Sequence, residues 1–227
     1  MVEVADNIFD FTGPAQALTA ELTQDATKAL IDQIKSLEPN YRFDSLAVPR
    51  TIEGQANQLN ELRFDRAALL LTKRGEARPL QVETLRFVQQ SADRAYAVGL
   101  QRLHAGVLRW RLSPQEALGN FVDAQVRREL RVRYARAAVD AAGPGPVRVN
   151  RRENNSSLEE LTYRRPDARV ADIAFDVTLT QKTLKTAQVR GFFDADFRPS
   201  HVIIVRPSQL GPGRTYIISR PSSGGGR

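Results

Sequence analysis

The sequence predicts an α+β fold, in which a helical amino-terminal half is followed by a mixed β-sheet domain. Three observations lead to this prediction. Up to about residue 142, apolar residues recur every three to four positions, the period of an amphipathic helix. Beyond the turn sequence at 143–146 (Gly-Pro-Gly-Pro), the apolar period falls to two, as in strands. One helical segment interrupts the strands, so the second half should run helix, three strands, helix, two strands.

The first half is expected to contain three helices. The first follows Pro14, repeats leucine, isoleucine or alanine every fourth residue, and stops at Pro39. Residues 40–56 have no clear period and are predicted to be a linker, and Gly75 marks a break between the second and third helices. The predicted helices cover residues 14–38, about 57–74 and about 79–110.

No motif in residues 1–112 indicates chemistry, so this region is interpreted as a docking, delivery or packing segment. Trp110 falls at the end of its last predicted helix and is expected to anchor packing. The region from 113 to 221 is expected to be the second domain, and the tail 222–227, rich in glycine and serine, is expected to be disordered.

The second domain opens with the clearest start signal in the chain. The residues 113–116 (Ser-Pro-Gln-Glu) form a capping box with proline at the first helical position. The helix is expected to run to about Ala142, with an apolar side and a dense series of arginines around the rest. The strands predicted after it cover 147–152, 161–169, 173–180, 201–206 and 215–220, with a short helix at about 186–193 between the third and fourth.

Charge is unevenly distributed along the 227 residues. Residues 1–60 hold nine acids and four bases, a net charge of −5, whereas the remainder holds 17 acids and 29 bases, a net charge of +12. A basic domain of this kind suits a polyanion such as nucleic acid.

Composition also excludes several classes of site and location. The chain has no cysteine and only two histidines, so disulfides, cysteine zinc sites and histidine-based nuclease motifs are excluded. The glycine-rich turns contain prolines that remove amide donors, which argues against a phosphate loop. No apolar run reaches the roughly 20 residues of a membrane span, and no signal peptide is recognisable. We expect a cytoplasmic protein without membrane contact, or one delivered into a target cell by a non-classical route.

The third predicted strand has the cleanest alternation in the sequence. Residues 173, 175, 177 and 179 are apolar, whereas Asp176 shares the other, polar face. On the preceding strand, Asp167 follows Pro166, which cannot donate to a ladder. A short turn between the two strands can bring Asp167 and Asp176 within reach of one metal ion. Two carboxylates suit a hard divalent cation, Mg²⁺ or Mn²⁺, of the kind that promotes phosphodiester hydrolysis.

Basic residues near these carboxylates are candidates for binding the backbone of a nucleic acid. The candidates are Arg164 and Arg165 on the second strand, with Arg127 and Arg131 on the helix before it. Without such cations, two close carboxylates would repel a phosphate. The helix arginines have a second interpretation, as a solvated face paired with nearby glutamates.

The Pro166-Asp167 pair followed by Asp176, in this order of elements, resembles the PD-(D/E)XK restriction-endonuclease-like superfamily over roughly half of the chain. Gln188 with Phe192 is similar to the glutamine and aromatic spacing that some members carry on the following helix. The run from Arg164 to the apolar strand at 202–205 resembles nuclease domains at the carboxy termini of bacterial polymorphic toxins. The resemblance implies a Mg²⁺-dependent endonuclease of the restriction-endonuclease-like fold, and a cognate immunity protein in its producer.

The sequence departs from the superfamily pattern at the lysine. The lysine should lie two residues after Asp176, where this chain has Thr178. Lys182 shares the face of Asp176 but is six residues on, roughly 20 Å along a straight strand. Either the strand ends near Thr180 and the chain returns Lys182 to contact water or phosphate, or the lysine comes from elsewhere, or no lysine is used.

Many superfamily members also carry a supporting acid on the helix, and Asp123 and Glu129 compete for this role. Asp123 follows an apolar pair and can face the sheet edge, whereas Glu129 lies among arginines and is interpreted as a surface ion pair. Two hypotheses follow for the whole chain. The first is a metal-dependent nuclease, acting on DNA in preference to RNA and deployed as a bacterial toxin. The alternative is a non-catalytic, basic nucleic-acid-binding or interaction protein.

Overall fold

The computed structural model describes residues 14–43, 51–156, 162–211 and 214–221, with side chains described from residue 22. It confirms the α+β class, with helices mostly in the first half and a mixed sheet in the second. The chain divides into two compact units, residues 1–83 and 84–227. This division falls within helix α3 (Ala77–His104), earlier than the boundary expected between residues 112 and 113. The predicted disordered tail at 222–227 lies outside the described residues.

The first unit contains α1 (Pro14–Leu37), α2 (Ile52–Arg74) and the start of α3. Helices α1 and α2 pack against each other. Helix α2 begins earlier than predicted because the Thr51 side chain accepts a hydrogen bond from the Gly54 amide at 3.1 Å and caps the helix. It ends where the sequence indicated, at Gly75, which adopts a left-handed conformation with φ of 72°.

In the second unit, α3 pairs in antiparallel fashion with α4 (Pro114–Arg136). Near one end of the pair, the buried hydroxyl groups of Thr84 and Tyr134 are 2.6 Å apart. Near the other end, a side chain at Gly99 would collide with Leu118 of α4, so glycine permits the close approach of the two helices. Ser113 caps α4 as predicted, accepting from the Glu116 amide at 3.1 Å.

Both long helices end earlier than the sequence predicted. Helix α3 stops at His104, not at Trp110, because Gly106 takes a left-handed φ of 69° and turns the chain away from the helix axis. Helix α4 stops at Arg136, not at Ala142, because Ala138 adopts a positive φ of 54°. The apolar period of the sequence continues past the end of both helices, but the helical backbone conformation does not.

The second unit holds a five-stranded sheet of order β1-β4-β5-β6-β7 and a two-stranded sheet of β2 and β3. The pairing of β5 with β6 is parallel, and all other pairings in the two sheets are antiparallel. The strands are β1 (Val147–Val149), β2 (Glu153–Asn155), β3 (Thr162–Arg164), β4 (Ala168–Val170), β5 (Ile173–Val177), β6 (His201–Val205) and β7 (Thr215–Ser219).

The described chain has seven strands against five predicted, because one predicted strand is broken and one further strand forms outside the predicted ranges. The predicted strand 147–152 ends early as β1, where Asn150 adopts a positive φ of 52°, and β2 lies beyond it. The predicted strand 161–169 splits into β3 and β4 on either side of Pro166, which cannot donate a ladder hydrogen bond. Consequently β2 and β3 form a separate ribbon, and only β1 and β4 join the main sheet.

Helix α5 (Ala187–Phe193) makes the crossover from β5 to the parallel strand β6 and covers one face of the sheet. Its residues Val189 and Phe192 are buried in one core cluster with Ala174, Val202 and Ile204. The polar face of β5, on which the sequence placed Asp176, is therefore buried as well. In the part of the chain that the structure describes, no helix has the length and apolar character of a membrane span.

Candidate active site

The pairing of β4 with β5 places two aspartates opposite each other. Ala168 pairs with Phe175 in the antiparallel register, so the preceding residue, Asp167, faces Asp176. Both residues are almost fully buried, with 7% and 2% of their surface exposed. The Asp167 carboxylate accepts a hydrogen bond from the Val177 amide at 2.7 Å, which fixes it across the two strands.

Burial raises the pKa of Asp167 well above its ordinary value, and the neighbouring carboxylates of Asp123 and Asp176 raise it further. Burial also raises the pKa of Asp176, although the ammonium of Lys182 partly opposes this effect. Three carboxylates therefore lie near one another in a poorly solvated place. Such an arrangement is unfavourable without a cation and is typical of functional sites.

In the structure, Lys182 lies beside the carboxylates, which is the first of the three alternatives that the sequence left open. Strand β5 ends at Val177, and the chain folds back before Lys182. The Lys182 Nζ lies 2.6 Å from Asp176 Oδ2 and donates to Gln188 Oε1 at 2.7 Å. Gln188 Nε2 in turn donates to Asp176 Oδ1 at 3.0 Å. The three side chains thus form a closed triangle, in which both carboxylate oxygens of Asp176 are occupied.

Tyr216, on β7, was not identified from the sequence. Its hydroxyl accepts from the Lys182 backbone amide at 2.6 Å and donates to the Lys182 carbonyl at 2.8 Å. These two bonds connect residues that are 34 positions apart. The only sequence signal was the alternation that placed Tyr216 on one face of the last strand, so its partner could not be predicted.

Asp123 and Arg127, one helical turn apart on α4, complete the cluster. The Arg127 guanidinium forms an ion pair with the Asp123 carboxylate, and its Nε lies 3.7 Å from Asp167 Oδ1. Arg127 was predicted to bind nucleic acid, and the structure directs it to these two carboxylates. Asp123 Oδ1 is buried and has no hydrogen-bond partner among the described residues. A buried carboxylate oxygen that accepts no hydrogen bond is unfavourable unless another group satisfies it.

Glu129 does not compete with Asp123 for a place at the site. It is half-buried and forms the expected ion pair, with the exposed Arg94 at 3.0 Å, and it also accepts hydrogen bonds from Ser91 and from Gln125 at 2.6 Å. Burial alone would raise its pKa, but these hydrogen bonds and the charge of Arg94 together lower the pKa below the ordinary value. Glu129 therefore links α4 to α3 through these contacts, and its role is structural.

The remaining predicted nucleic-acid-binding residues lie in two different settings. Arg131 and Arg165 are exposed, and the Arg165 guanidinium lies 5.5 Å from the centre of the Tyr163 ring. Arg164 is only partly exposed and packs against α5, where a Cβ on Gly191 would overlap its guanidinium. Arg131 and Arg165 are thus the accessible cations of the predicted set, and Arg164 holds α5 in place.

A cavity of about 390 Å³ opens beside Asp123. One wall is the start of α4, and the opposite wall is the segment that follows β5. Most of its polar side chains are uncharged amides and hydroxyls, and Asp123 forms one end. The lining residues are Ser113, Gln115, Glu116, Gly119, Asn120, Asp123, Val177, Thr178, Leu179 and Thr180.

The residues present fit a Mg²⁺ ion in their chemistry. Among the described residues, no group of three or more His, Cys, Asp or Glu side chains is arranged to hold a metal ion. Mg²⁺, however, is usually bound by one or two carboxylates together with water and substrate phosphates. The facing pair of Asp167 and Asp176 supplies two carboxylates, and the unpartnered oxygen of Asp123 lies nearby.

Comparison with known proteins supplies no further assignment. No protein-family model, curated protein or solved structure matches this chain. The function proposed below therefore depends on the geometry and chemistry of the site itself.

Proposed function

We propose that this protein is a Mg²⁺-dependent endonuclease, able to use Mn²⁺, that hydrolyses phosphodiester bonds of DNA in preference to RNA. The observation that carries the proposal is the contact of Lys182 Nζ with Asp176, directly beside the facing carboxylate of Asp167. A lysine and two buried carboxylates at one end of the β4–β5 pair form a set that suits metal-assisted hydrolysis of a phosphodiester. The superfamily resemblance drawn from the sequence supports the same reaction.

Asp167 and Asp176 are the residues that would hold the metal ion, and Asp123 is in place to support it. When bound, Mg²⁺ supplies a water of lowered pKa and offsets the negative charge that develops on the phosphate. The raised pKa values of both aspartates show that the protein alone stabilises their charged forms poorly. A divalent cation would relieve this electrostatic cost, as binding of a ligand to the folded state does in general.

Lys182 would act on the attacking water and the phosphate, and Gln188 would position Lys182. The Lys182 ammonium, oriented by Gln188 and Asp176, would orient the water and stabilise charge on the phosphate oxygens. The water loses a proton to solvent as its oxygen attacks phosphorus, the bond from phosphorus to the leaving sugar oxygen breaks, and that oxygen takes a proton from solvent. Arg127 offsets the charge of Asp123 and Asp167, which lets a phosphate approach an otherwise anionic cluster.

The basic character of the chain beyond residue 60, with a net charge of +12, supports a polyanionic substrate. Deployment as a toxin belongs to the same proposal and rests on the resemblance to toxin nuclease domains. A producing cell would then need an immunity protein. Induction of the wild-type chain in bacteria should degrade the nucleoid and stop growth, whereas induction of an inactive variant should not.

The direct test is incubation of the purified protein with plasmid DNA and with structured RNA, in Mg²⁺, in Mn²⁺ and in chelator. We expect cleavage of the plasmid with either metal and none with chelator. Asp167→Asn, Asp176→Asn and Lys182→Met should each abolish cleavage. Asp194→Asn and Lys185→Met, which change exposed residues outside the cluster, are the matched controls and should cleave normally.

Two results would overturn the proposal. Cleavage that survives both Asp167→Asn and Asp176→Asn would remove these residues from the site. Salt-dependent binding to nucleic acid that survives Asp167→Asn, without cleavage in any metal, would instead establish the alternative of a non-catalytic binding protein.

A further inference from the structure

We propose that the segment from Val107 to Leu112 is a nucleic-acid-binding arm, on which an unpaired base stacks against Trp110. The inference rests on the proposed nuclease function and specifies its substrate, a nucleic acid with an unpaired stretch beside the cleavage site. It starts from the exposure of Trp110, which the sequence had assigned to packing. The indole is 56% exposed in the structure.

The arm exists because α3 ends abruptly. Gly106 takes a left-handed φ of 69°, and the amides of Val107 and Leu108 bond back to the Arg102 carbonyl at 2.9 and 3.0 Å. The residues that follow leave the helix and present large side chains to solvent. Val107 and Leu112 are 68% and 74% exposed, so Trp110 lies in a short exposed apolar patch.

Charge complementarity identifies the occupant of this patch. Arg109 and Arg111 flank Trp110, both are exposed, and the segment from Val107 to Leu112 has no acidic residue. An exposed aromatic ring between two arginines suits a single strand, because bases stack on the ring while the arginines bind phosphates. A base pair within a duplex has both faces stacked and presents no free face to an indole.

The position of the arm connects it to the candidate active site. Trp110 is three residues before Ser113, within about 11 Å by chain length, and Ser113 lines the cavity that ends at Asp123. From Ser113 to Asp123 the helix rises about 15 Å. A nucleic-acid single strand that is bound at Trp110 can therefore extend along the polar side chains Gln115 and Asn120 of α4. It would reach the carboxylates after several nucleotides.

The test uses the fact that Trp110 is the only tryptophan of the chain. Its fluorescence is titrated in chelator, so that nothing is cleaved, with a single-stranded oligothymidylate and with a blunt duplex of equal length. We expect quenching by the single strand and little quenching by the duplex. Trp110→Ala should weaken binding of the single strand by roughly 5- to 150-fold, as measured with a labelled oligonucleotide. Trp110→Phe should retain most of the affinity.

Two controls separate stacking from other effects. Val82→Ala removes exposed apolar surface outside the arm without removing a ring and should leave the affinity unchanged. Replacing both Arg109 and Arg111 by glutamine should lower the slope of log affinity against log salt by about 0.7 for each phosphate contact that is lost. Because all of these side chains are exposed, the variants should keep the circular dichroism spectrum and the thermal midpoint of the wild type.

Equal quenching by single strand and duplex, or unchanged affinity in Trp110→Ala, would overturn this inference. Fluorescence and sedimentation that change with protein concentration alone would also overturn it, because the patch would then bind a second copy of the chain. Failure of the nuclease proposal has a different signature. In that case the single strand still quenches Trp110, but no metal supports cleavage.

Discussion

The hydroxyl of Tyr216 bonds to both backbone polar groups of Lys182, accepting from the amide at 2.6 Å and donating to the carbonyl at 2.8 Å. Tyr216 lies on β7 and packs against the core cluster under α5. The returning chain is thereby fixed to the sheet at the residue whose side chain reaches Asp176. Without this anchor, the position of the ammonium group would depend on a short segment outside the sheet. Tyr216 is therefore a positioning residue for Lys182.

Tyr216→Phe should lower the cleavage rate because it removes both hydrogen bonds but keeps the ring. Two hydrogen bonds contribute about 1 kcal/mol each, so we expect a fall in kcat of up to roughly 30-fold. KM for DNA should remain near the wild-type value, since the phenol is directed to the Lys182 backbone. Single-turnover and steady-state kinetics would measure the two effects. Tyr163→Phe removes an equivalent hydroxyl from β3 and should leave kcat unchanged, and an unchanged kcat in Tyr216→Phe would contradict the positioning role.

Lys182→Met should destabilise the metal-free protein, because it leaves the Asp176 carboxylate buried without its cation. The side chains of this pair are only 14% and 3% exposed. Breaking such a pair costs about 3 kcal/mol or more of the free energy of unfolding. Adding Asp176→Asn to Lys182→Met should recover most of that loss, although the double variant remains inactive. Urea unfolding of the four proteins forms a double-mutant cycle, and additive effects would show that the pair does not interact.

Asp167→Asn should stabilise the metal-free protein, in contrast to its effect on activity. Burial and the nearby carboxylates oppose ionisation of Asp167, and an asparagine oxygen can still accept the Val177 amide. We expect the free energy of unfolding in chelator to rise by on the order of 1 kcal/mol. Added Mg²⁺ should stabilise the wild type more than the variant. Thermal unfolding with and without Mg²⁺ measures both effects, and equal stabilisation of the two proteins would argue against Asp167 as a ligand.

The lowered pKa of Glu129 predicts a specific loss of stability in acid. A carboxyl group whose pKa is lower in the folded than in the unfolded state contributes stability above its unfolded pKa, near 4.3. That contribution disappears as the pH falls through the lower, folded pKa. Glu129→Gln should therefore be less stable than the wild type at neutral pH, and the difference should shrink on acidification. Urea unfolding at a series of pH values would test this, with Glu116→Gln on the same helix as the control.

The sequence predicted the proximity of Asp167 and Asp176 better than it predicted the lengths of the elements. The alternation of β5 and the proline before Asp167 were enough to place Asp167 and Asp176 on neighbouring strands, and the structure brings them face to face. Gln188, inferred from a resemblance in spacing, contacts the same cluster. The relative placement of the two aspartates depends only on local periodicity and on one short turn, whereas that of Gln188 depends on the resemblance. Their chemical roles remain predictions.

What could not be predicted depends on contacts between distant residues or on single backbone angles. The return of Lys182 depends on Tyr216, and the direction of Arg127 toward Asp123 and Asp167 depends on how α4 lies against the sheet. The end of α3 before Trp110 depends on Gly106, in a stretch whose apolar period continues. Periodicity in the sequence indicates which side chains prefer burial. It does not indicate where a helix ends or which distant residue a side chain contacts.

The short segment from Thr178 to Gln181, between β5 and Lys182, can differ in length among sites of this kind. Since strand β5 ends at Val177, residues inserted in this segment would leave the register of the sheet unchanged. Closing a loop of twice the length costs only about 0.6 kcal/mol, and the Tyr216 anchor would still fix the far end. Insertions here should thus be tolerated, provided that the ammonium still arrives at Asp176. A sequence motif that requires a lysine at one fixed spacing from the aspartate would miss every such variant. A structural search for two carboxylates and an ammonium group in this spatial arrangement would find them all.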